Sequence, residues 1–305
     1  MTAGEIQFKS IADCTINEIT ELWNIGFSES FVDTKITSLQ MLDKLGQQCI
    51  HPTLSVAAYL ENIPAGFVLI GWREIDGRKM AWNGGTGVHP SFRGKGLGRR
   101  LLHEAIRGVK QMGAHSLSLE TRTRPDNGRA VRAYESNGFV KRDILQMMRL
   151  AGDFTSLPFC REQKHSYIYV KGQPEVVRWL PFHTYDQTSW TTQWFSISNG
   201  QSLIAYDVTG KAAGFALYKE SYNNDGTRNS IHLIQCEADP TCADVSGVIR
   251  SLLIEVFRPM EQNVERSTHY IRTSNVEAKQ ALAEAGFEVS NEEYWMTLPL
   301  GDEQQ

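Results

Sequence analysis

The sequence has no CxxC pair, and its eight histidines show no ligand spacing, so a zinc module is disfavoured and no metal is expected. Its five cysteines, Cys14, Cys49, Cys160, Cys236 and Cys242, are odd in number and scattered, which argues against a disulfide scaffold. No apolar run approaches the roughly 18–20 residues of a membrane span. The longest candidate, Ile63 to Trp72, is broken by Pro64, Gly66 and Gly71. The opening MTAGEIQFKS lacks the basic-then-apolar order of a secretory signal. These absences lead us to expect a cytoplasmic protein with no membrane partner. Two nucleotide signatures are missing as well. GxxxxGK[ST] does not occur, and GxGxxG fails because from Gly94 its last position is Arg99.

What is present is enough for two cores: 305 residues, 41% apolar and 22% charged. The net charge of −4 hides an asymmetry. Residues 78–149 carry 15 Lys/Arg against 5 Asp/Glu, residues 1–77 carry 4 against 10, and residues 151–305 carry 12 against 20. One confined basic segment in an acidic chain fits a small polyanionic ligand better than nucleic acid, for which no reading element is visible. A solvated basic face is the plain alternative.

A repeat runs through the chain. Ala65-Gly66-Phe67 returns as Ala213-Gly214-Phe215, Asn127 as Asn275, Ala130 as Ala278, Ala133 as Ala281, Gly138-Phe139 as Gly286-Phe287, and Met148 as Met296, always 148 positions on. We expect two copies of one unit, residues 1–150 and 165–305, joined by a linker at 151–164. In the first copy Thr15-Ile16-Asn17-Glu18 is a capping box, and Ser38 is expected to cap a second helix carrying Met41, Leu42 and Leu45. Strands are expected near 55–60, 65–73 and 79–88, turned at Ile63-Pro64 and Asp76-Gly77. A helix over 98–112 carries Leu101, Leu102, Ala105, Ile106, Val109 and Met112 on one stripe. A strand over 117–121 follows, then a helix begun by Asp126 or Asn127 and ended by Gly138, then strands near 139–141 and 145–150. The fold class is α/β (α+β), each unit a mixed, mostly antiparallel sheet flanked by helices. The tail 301–305 is expected to be disordered.

The chemistry concentrates at Val88-His89-Pro90-Ser91-Phe92-Arg93-Gly94-Lys95-Gly96-Leu97-Gly98-Arg99-Arg100. A strand ends, alternating glycines let backbone approach a ligand, and a helix begins whose first amides have no intrahelical acceptor. Those amides and the helix dipole suit a pyrophosphate.

Arg93-x-x-Gly96-x-Gly98 resembles the coenzyme A pyrophosphate loop of the GCN5-related N-acetyltransferase (GNAT) superfamily. Asn127-x-x-Ala130-x-x-x-Tyr134-x-x-x-Gly138-Phe139 resembles that family's second motif, in the right order and at the expected separation. The resemblance covers about residues 1–150 and implies an acetyl-CoA-dependent N-acetyltransferase. By it, Val88 would bond the pantetheine arm, the amides of Arg93, Gly94, Lys95, Gly96, Leu97, Gly98 and Arg99 would hold the pyrophosphate, Asn127 would bond the pantetheine side, and Tyr134 would protonate the leaving thiolate. The acceptor would be an amine of a small molecule or a peptide terminus.

Thioester aminolysis also needs an uncharged amine. Glu120 is the candidate base, because alternation along 117–121 puts it opposite Leu117 and Leu119. Its other reading is an ion pair with Arg122 or Arg124. His89 is read first as a partly exposed turn residue and second as a rival base. Tyr134 has a packed helix tyrosine as its plain alternative, the functional role being favoured by the whole motif, and for Asn127 a helix cap is compatible with the binding role. Arg122, Arg124, Arg129 and Arg132 are open to a 3′-phosphate, an acidic acceptor or solvent. The second copy lacks the glycine triplet, puts Asp239 and Asp244 near its place, and has Leu282 where the first has Tyr134. It resembles the degenerate half of tandem GNAT proteins. Its Trp179, Trp190, Trp194, Phe195, Tyr294 and Trp295 are divided between core and ligand-facing readings. A non-catalytic acyl-CoA-binding or sensing protein is the rival function, and O-acetyl or longer-acyl transfer a third.

Overall fold

Thr15 and Glu18 open the first helix by reciprocal bonds: Thr15 N donates to Glu18 Oε2 at 2.6 Å, and Glu18 N donates to Thr15 Oγ1 at 3.3 Å. A computed structural model provides the structure, and it describes residues 6–29, 34–150, 159, 166–258 and 264–301. Except for Phe159, the expected linker 151–164 lies outside these residues, as does the tail beyond Gly301. Contacts divide the chain into two units. Unit 1 is Met1–Arg142 with Trp295–Gln305, and unit 2 is Asp143–Tyr294.

Unit 1 runs β1 (Ile6–Ser10), α1 (Ile16–Gly26), α2 (Ser38–Gln47), β2 (Val56–Leu60), β3 (Ile63–Ile75), β4 (Arg78–Val88), α3 (Leu97–Gln111), β5 (Ser116–Arg122) and α4 (Gly128–Glu135). Its strands lie in the order β1-β2-β3-β4-β5. β1 through β4 are antiparallel neighbours, and β4 and β5 are parallel. Alternation sends Gly66 toward Leu101 of α3 and Phe67 toward Gly26 and Trp23 of α1, so helices cover both faces. The α3 stripe buries Leu101, Leu102, Ala105, Ile106 and Val109, whereas Met112 at its end is exposed.

Several local expectations are corrected. Thr37, not Ser38, caps α2: its backbone is extended and its hydroxyl takes Gln40 N, while the Ser38 hydroxyl donates to Asn17 Oδ1. Leu42 is exposed, because only Met41 on that helix turns fully inward. The β2–β3 turn is Glu61-Asn62, both with positive φ, and Pro64 lies inside β3 opposite Tyr59. The two strands expected over 139–150 are one, β6 (Val140–Leu150).

Unit 2 contains β7 (Ile168–Gly172), β8 (Gln201–Tyr206), β9 (Ala212–Tyr222), β10 (Arg228–Ala238), α5 (Val245–Phe257), β11 (Glu265–Thr268), β12 (Ile271–Arg272), α6 (Val276–Glu284) and most of β13 (Phe287–Pro299). Its strand order is β6-β11-β10-β9-β8-β7. A run of 3-10 turns between Pro174 and Ser196 stands where unit 1 has α1 and α2. The core gathers Ala216, Tyr218, Val248, Leu252, Phe257, Ala281, Leu282 and Phe287. Met148, from the end of the first copy, belongs to this core. The stretch beginning at Trp295, from the end of the second copy, belongs to unit 1, where Thr297 Oγ1 accepts from Arg142 Nε and Leu300 N donates to His115 O. The packed units therefore part from a division by chain order at residues 143–150 and from Trp295 onward.

The constant offset also slips in the middle. Gly66 pairs with Val88, but Gly214 pairs with Ala238, 150 positions further on. Both helices that follow keep the 148 offset, with N-caps at Gly96 and Asp244. The loop between strand and helix is therefore 89–95 in unit 1 and only 239–243 in unit 2, two residues shorter.

Candidate active site

Two features of unit 1 make an opening. β4 and β5 pair only at Met80–Ser116, Ala81–Leu117 and Trp82–Ser118, after which β4 runs on to Val88 and β5 to Arg122. β4 also bulges: Leu69 pairs with Gly85 and Ile70 with Asn83, leaving Gly84 over. Two parallel strands that separate with one bulged leave main-chain groups facing a gap.

At the end of β4 the chain makes a short 3-10 turn, Pro90–Phe92, in which His89 Nδ1 accepts from Ser91 N. This places His89 as a turn residue. Gly94 and Gly96 then take φ of 75° and 78°, the left-handed region that a side chain resists. Gly96 is the N-cap of α3 and offers no side-chain hydrogen bond to the first turn. A Cβ at Gly94 or Gly96 would meet nothing within 4 Å, so conformation and open space, not packing, set these positions. The amides of Leu97, Gly98 and Arg99 begin the helix with no acceptor inside it.

The basic residues divide. Arg93 is a tether: its Nε donates to Val88 O at 3.0 Å, its Nη2 to Gly26 O at 3.1 Å, and its Nη1 to Glu29. Its guanidinium fixes the end of β4 to the end of α1. Lys95 donates to Ser91 O at 3.1 Å and is exposed, and Arg100 lies 5.1 Å over the Phe8 ring.

Glu120 faces the α1 side of the sheet, as alternation predicts, and accepts from Trp82 Nε1 at 2.5 Å. Asn127 stands at the N-cap of α4, but its side chain makes no cap bond there. Its Nδ2 donates instead to Thr121 Oγ1 and Arg122 O, both at 2.8 Å, tying α4 to the end of β5. Tyr134 is buried on α4, edge-on to Phe139 at 5.8 Å. The structure thus brings Val88 and the 93–99 loop together and links Glu120 and Asn127 through β5. Trp82 was missed from the sequence, although Gly84-Gly85 inside a strand is the usual mark of a bulge.

The same places in unit 2 are filled. Asp244 Oδ1 accepts from Gly247 N at 2.9 Å and so caps α5. A Cβ on Gly247 would lie 2.3 Å from Asp244 Oδ2, so only glycine leaves room for this cap. Asp239 accepts from Thr241 and from Lys211 Nζ at 2.9 Å, and these bonds, Lys211 first, pull its carboxyl down to about 2. Asn275 Nδ2 donates to Cys236 O at 2.9 Å, and Arg272 pairs with Glu237 at 2.9 Å, which bridges β10 to the segment after β11. Cys236 is buried with its thiol pushed up by desolvation, and it does not meet Cys242: their Sγ atoms face Ile249 O and Ala213 O.

The sequence profile of the Acetyltransferase (GNAT) family matches residues 16–139, the stretch holding the loop, the opening and Tyr134. Residues 16–139 thus form a GNAT-type domain. That domain match supports an N-acetyltransferase. The chain is 28% identical over 145 residues to the L-methionine sulfoximine/L-methionine sulfone acetyltransferase of Salmonella typhimurium, covering 44% of this chain and 79% of that protein. Its fold is shared along its whole length. A putative acetyltransferase from Pyrococcus horikoshii superposes with TM-score 0.61 at 14% identity, covering 100% of this chain and 92% of the other. A tandem GNAT protein of the clavulanic acid pathway superposes with TM-score 0.58 at 16% identity, covering 98% and 100%. Among the described residues, no helix is long and apolar enough to cross a membrane, and no group of three or more His, Cys, Asp or Glu could hold a metal ion.

Proposed function

We propose that unit 1 transfers acetyl from acetyl-CoA to an amine of a small molecule or a peptide terminus. The observation that carries this reading is the start of α3, where the N-cap supplies no acceptor and the space in front of Gly94 and Gly96 is open. A diphosphate fits such a niche, because it completes the helix's free donors and meets the dipole's positive end. Unit 2 supports the contrast, since Asp244 occupies the corresponding donors with the protein's own carboxylate. The coenzyme supplies an activated acetyl thioester when bound.

The remaining steps fall to side chains and main chain. The amides of residues 94–99 hold the diphosphate, with Lys95 and Arg99 adding charge at its rim. Val88 O already accepts from Arg93 and keeps one lone pair for a pantetheine amide. Main-chain N–H groups of β4 beyond Trp82 face the gap and steady the developing oxyanion. Glu120, oriented by the Trp82 indole, takes a proton from the incoming ammonium. Tyr134 gives a proton to the departing sulfur, and Asn127 holds α4 against β5 so that this tyrosine keeps its place. The Salmonella relative acts, by its name, on L-methionine sulfoximine and L-methionine sulfone, which supports a small-molecule acceptor here. The reading is tested by calorimetric titration with acetyl-CoA and by an acceptor screen that follows free thiol. Absence of binding to unit 1, or thiol release that survives Tyr134→Phe undiminished, counts against it.

A further inference from the structure

Lys44 has no role in that mechanism, yet it is placed in an unusual way. It lies on α2, half-buried, with Nζ 4.4 Å above the Trp23 ring. Among the described residues no carboxylate pairs with it. Desolvation pulls its ammonium down to about 8. A half-buried cation that no described residue neutralises weakens the fold, and a chain retains one most readily where a ligand brings a balancing charge.

Its surroundings say where that ligand lies. A Cβ at Gly85 would come within 2.8 Å of Trp23 Cζ3, and one at Gly84 within 2.5 Å of Trp82 Cζ3. The two indoles therefore lie against adjacent residues of the β4 bulge. Trp82 holds the Glu120 carboxylate, and Trp23 carries the Lys44 ammonium. All of them lie on the α1 face of the unit 1 sheet. An acceptor lying along Gly84-Gly85 with its amine toward Glu120 extends its other end over Trp23, toward Lys44.

We propose that Lys44 is the seat for an oxyanion on the acceptor, so that the substrate class is an amine that also bears a carboxylate or a similar anionic group. This rests on the acetyltransferase reading above. It disfavours polyamines and aminoglycosides, whose further cations would meet Lys44 with like charge, and it makes Lys44 a specificity residue outside the bond-making step.

The test measures thiol release with acetyl-CoA and L-amino acids or ω-amino carboxylates, each beside its own carboxamide. The wild-type chain should favour the carboxylate member of a pair. In Lys44→Met the carboxylate-to-amide ratio of kcat/KM should fall at least fivefold, with the change in KM, and Lys44→Arg should restore most of it. Removing a desolvated ammonium that no described carboxylate pairs with should raise the melting temperature of Lys44→Met, so loss of folding does not confound the result. A ratio that changes less than fivefold, or a wild-type chain that uses amides as well as carboxylates, overturns the proposal. If acetyl-CoA binds but neither series releases thiol, Lys44 does not select this class and the proposal also fails. If acetyl-CoA does not bind at all, the acetyltransferase reading fails first and this inference falls with it.

Discussion

Gly96→Asp installs in unit 1 the residue that unit 2 carries at the matching N-cap, Asp244. Its cost to the fold should be small. A side chain in the left-handed region at φ 78° costs about 1–2 kcal/mol, and relative to glycine an Asp cap returns only about 0.3 kcal/mol, well below the loss in binding. The cost to ligand binding should be large. If the new carboxylate takes two amides that would otherwise hold the diphosphate, two charge-assisted bonds of about 1.5–3 kcal/mol each are lost, before any repulsion between the anions. That is a fall in affinity of at least about 100-fold. Isothermal titration with acetyl-CoA measures it, and thermal melting controls for folding. Gly96→Ala separates the causes, since it brings the strain without the charge. It should lower the melting temperature more than Gly96→Asp and weaken binding less. If Gly96→Asp binds acetyl-CoA within about threefold of wild type, the start of α3 is not the diphosphate niche and the reasoning is wrong.

Tyr134→Phe should lower kcat by at least about tenfold while the acetyl-CoA Kd holds, because only the proton to sulfur is removed; an unchanged kcat assigns that proton elsewhere. Glu120→Gln keeps an acceptor for Trp82 Nε1 but loses the base, so the rate should drop most at the acid end of the pH profile, and a uniform response would remove Glu120 from that role. Lys44 makes stability depend on pH. Its pKa falls from 10.5 unfolded to about 8 folded, so the unfolded chain binds more protons between these values and stability should rise with pH across them. Urea unfolding at pH 7 and pH 10 should show Lys44→Met more stable by about 1 kcal/mol at pH 7 and the gap closing at pH 10. Asp244→Ala should destabilise unit 2 by about 1 kcal/mol through loss of the α5 cap, yet create no acetyl-CoA site, because Asn275 still bridges to Cys236 O.

The sequence by itself was enough for what depends on neighbours along the chain. The Thr15–Glu18 box, the α3 stripe, the Asp76-Gly77 turn and the glycine loop before Leu97 are short-range matters of φ, capping and periodicity, and each was legible without coordinates. The repeat showed that one unit occurs twice and that its second loop is altered. Tertiary structure decided what depends on partners distant in sequence. Asn127 sits at the N-cap as its sequence position suggests, but only the fold shows β5 taking its amide, and only the fold shows Glu120 accepting from Trp82 Nε1. The two-residue slip of β10 is invisible to a constant offset, because the shorter loop before α5 restores the count. Nor does the sequence say which unit each copy's last strand joins. Met148 and Met296 share a pattern, and either strand satisfies the same local rules. Only packing assigns the first to the unit 2 core and the second to unit 1.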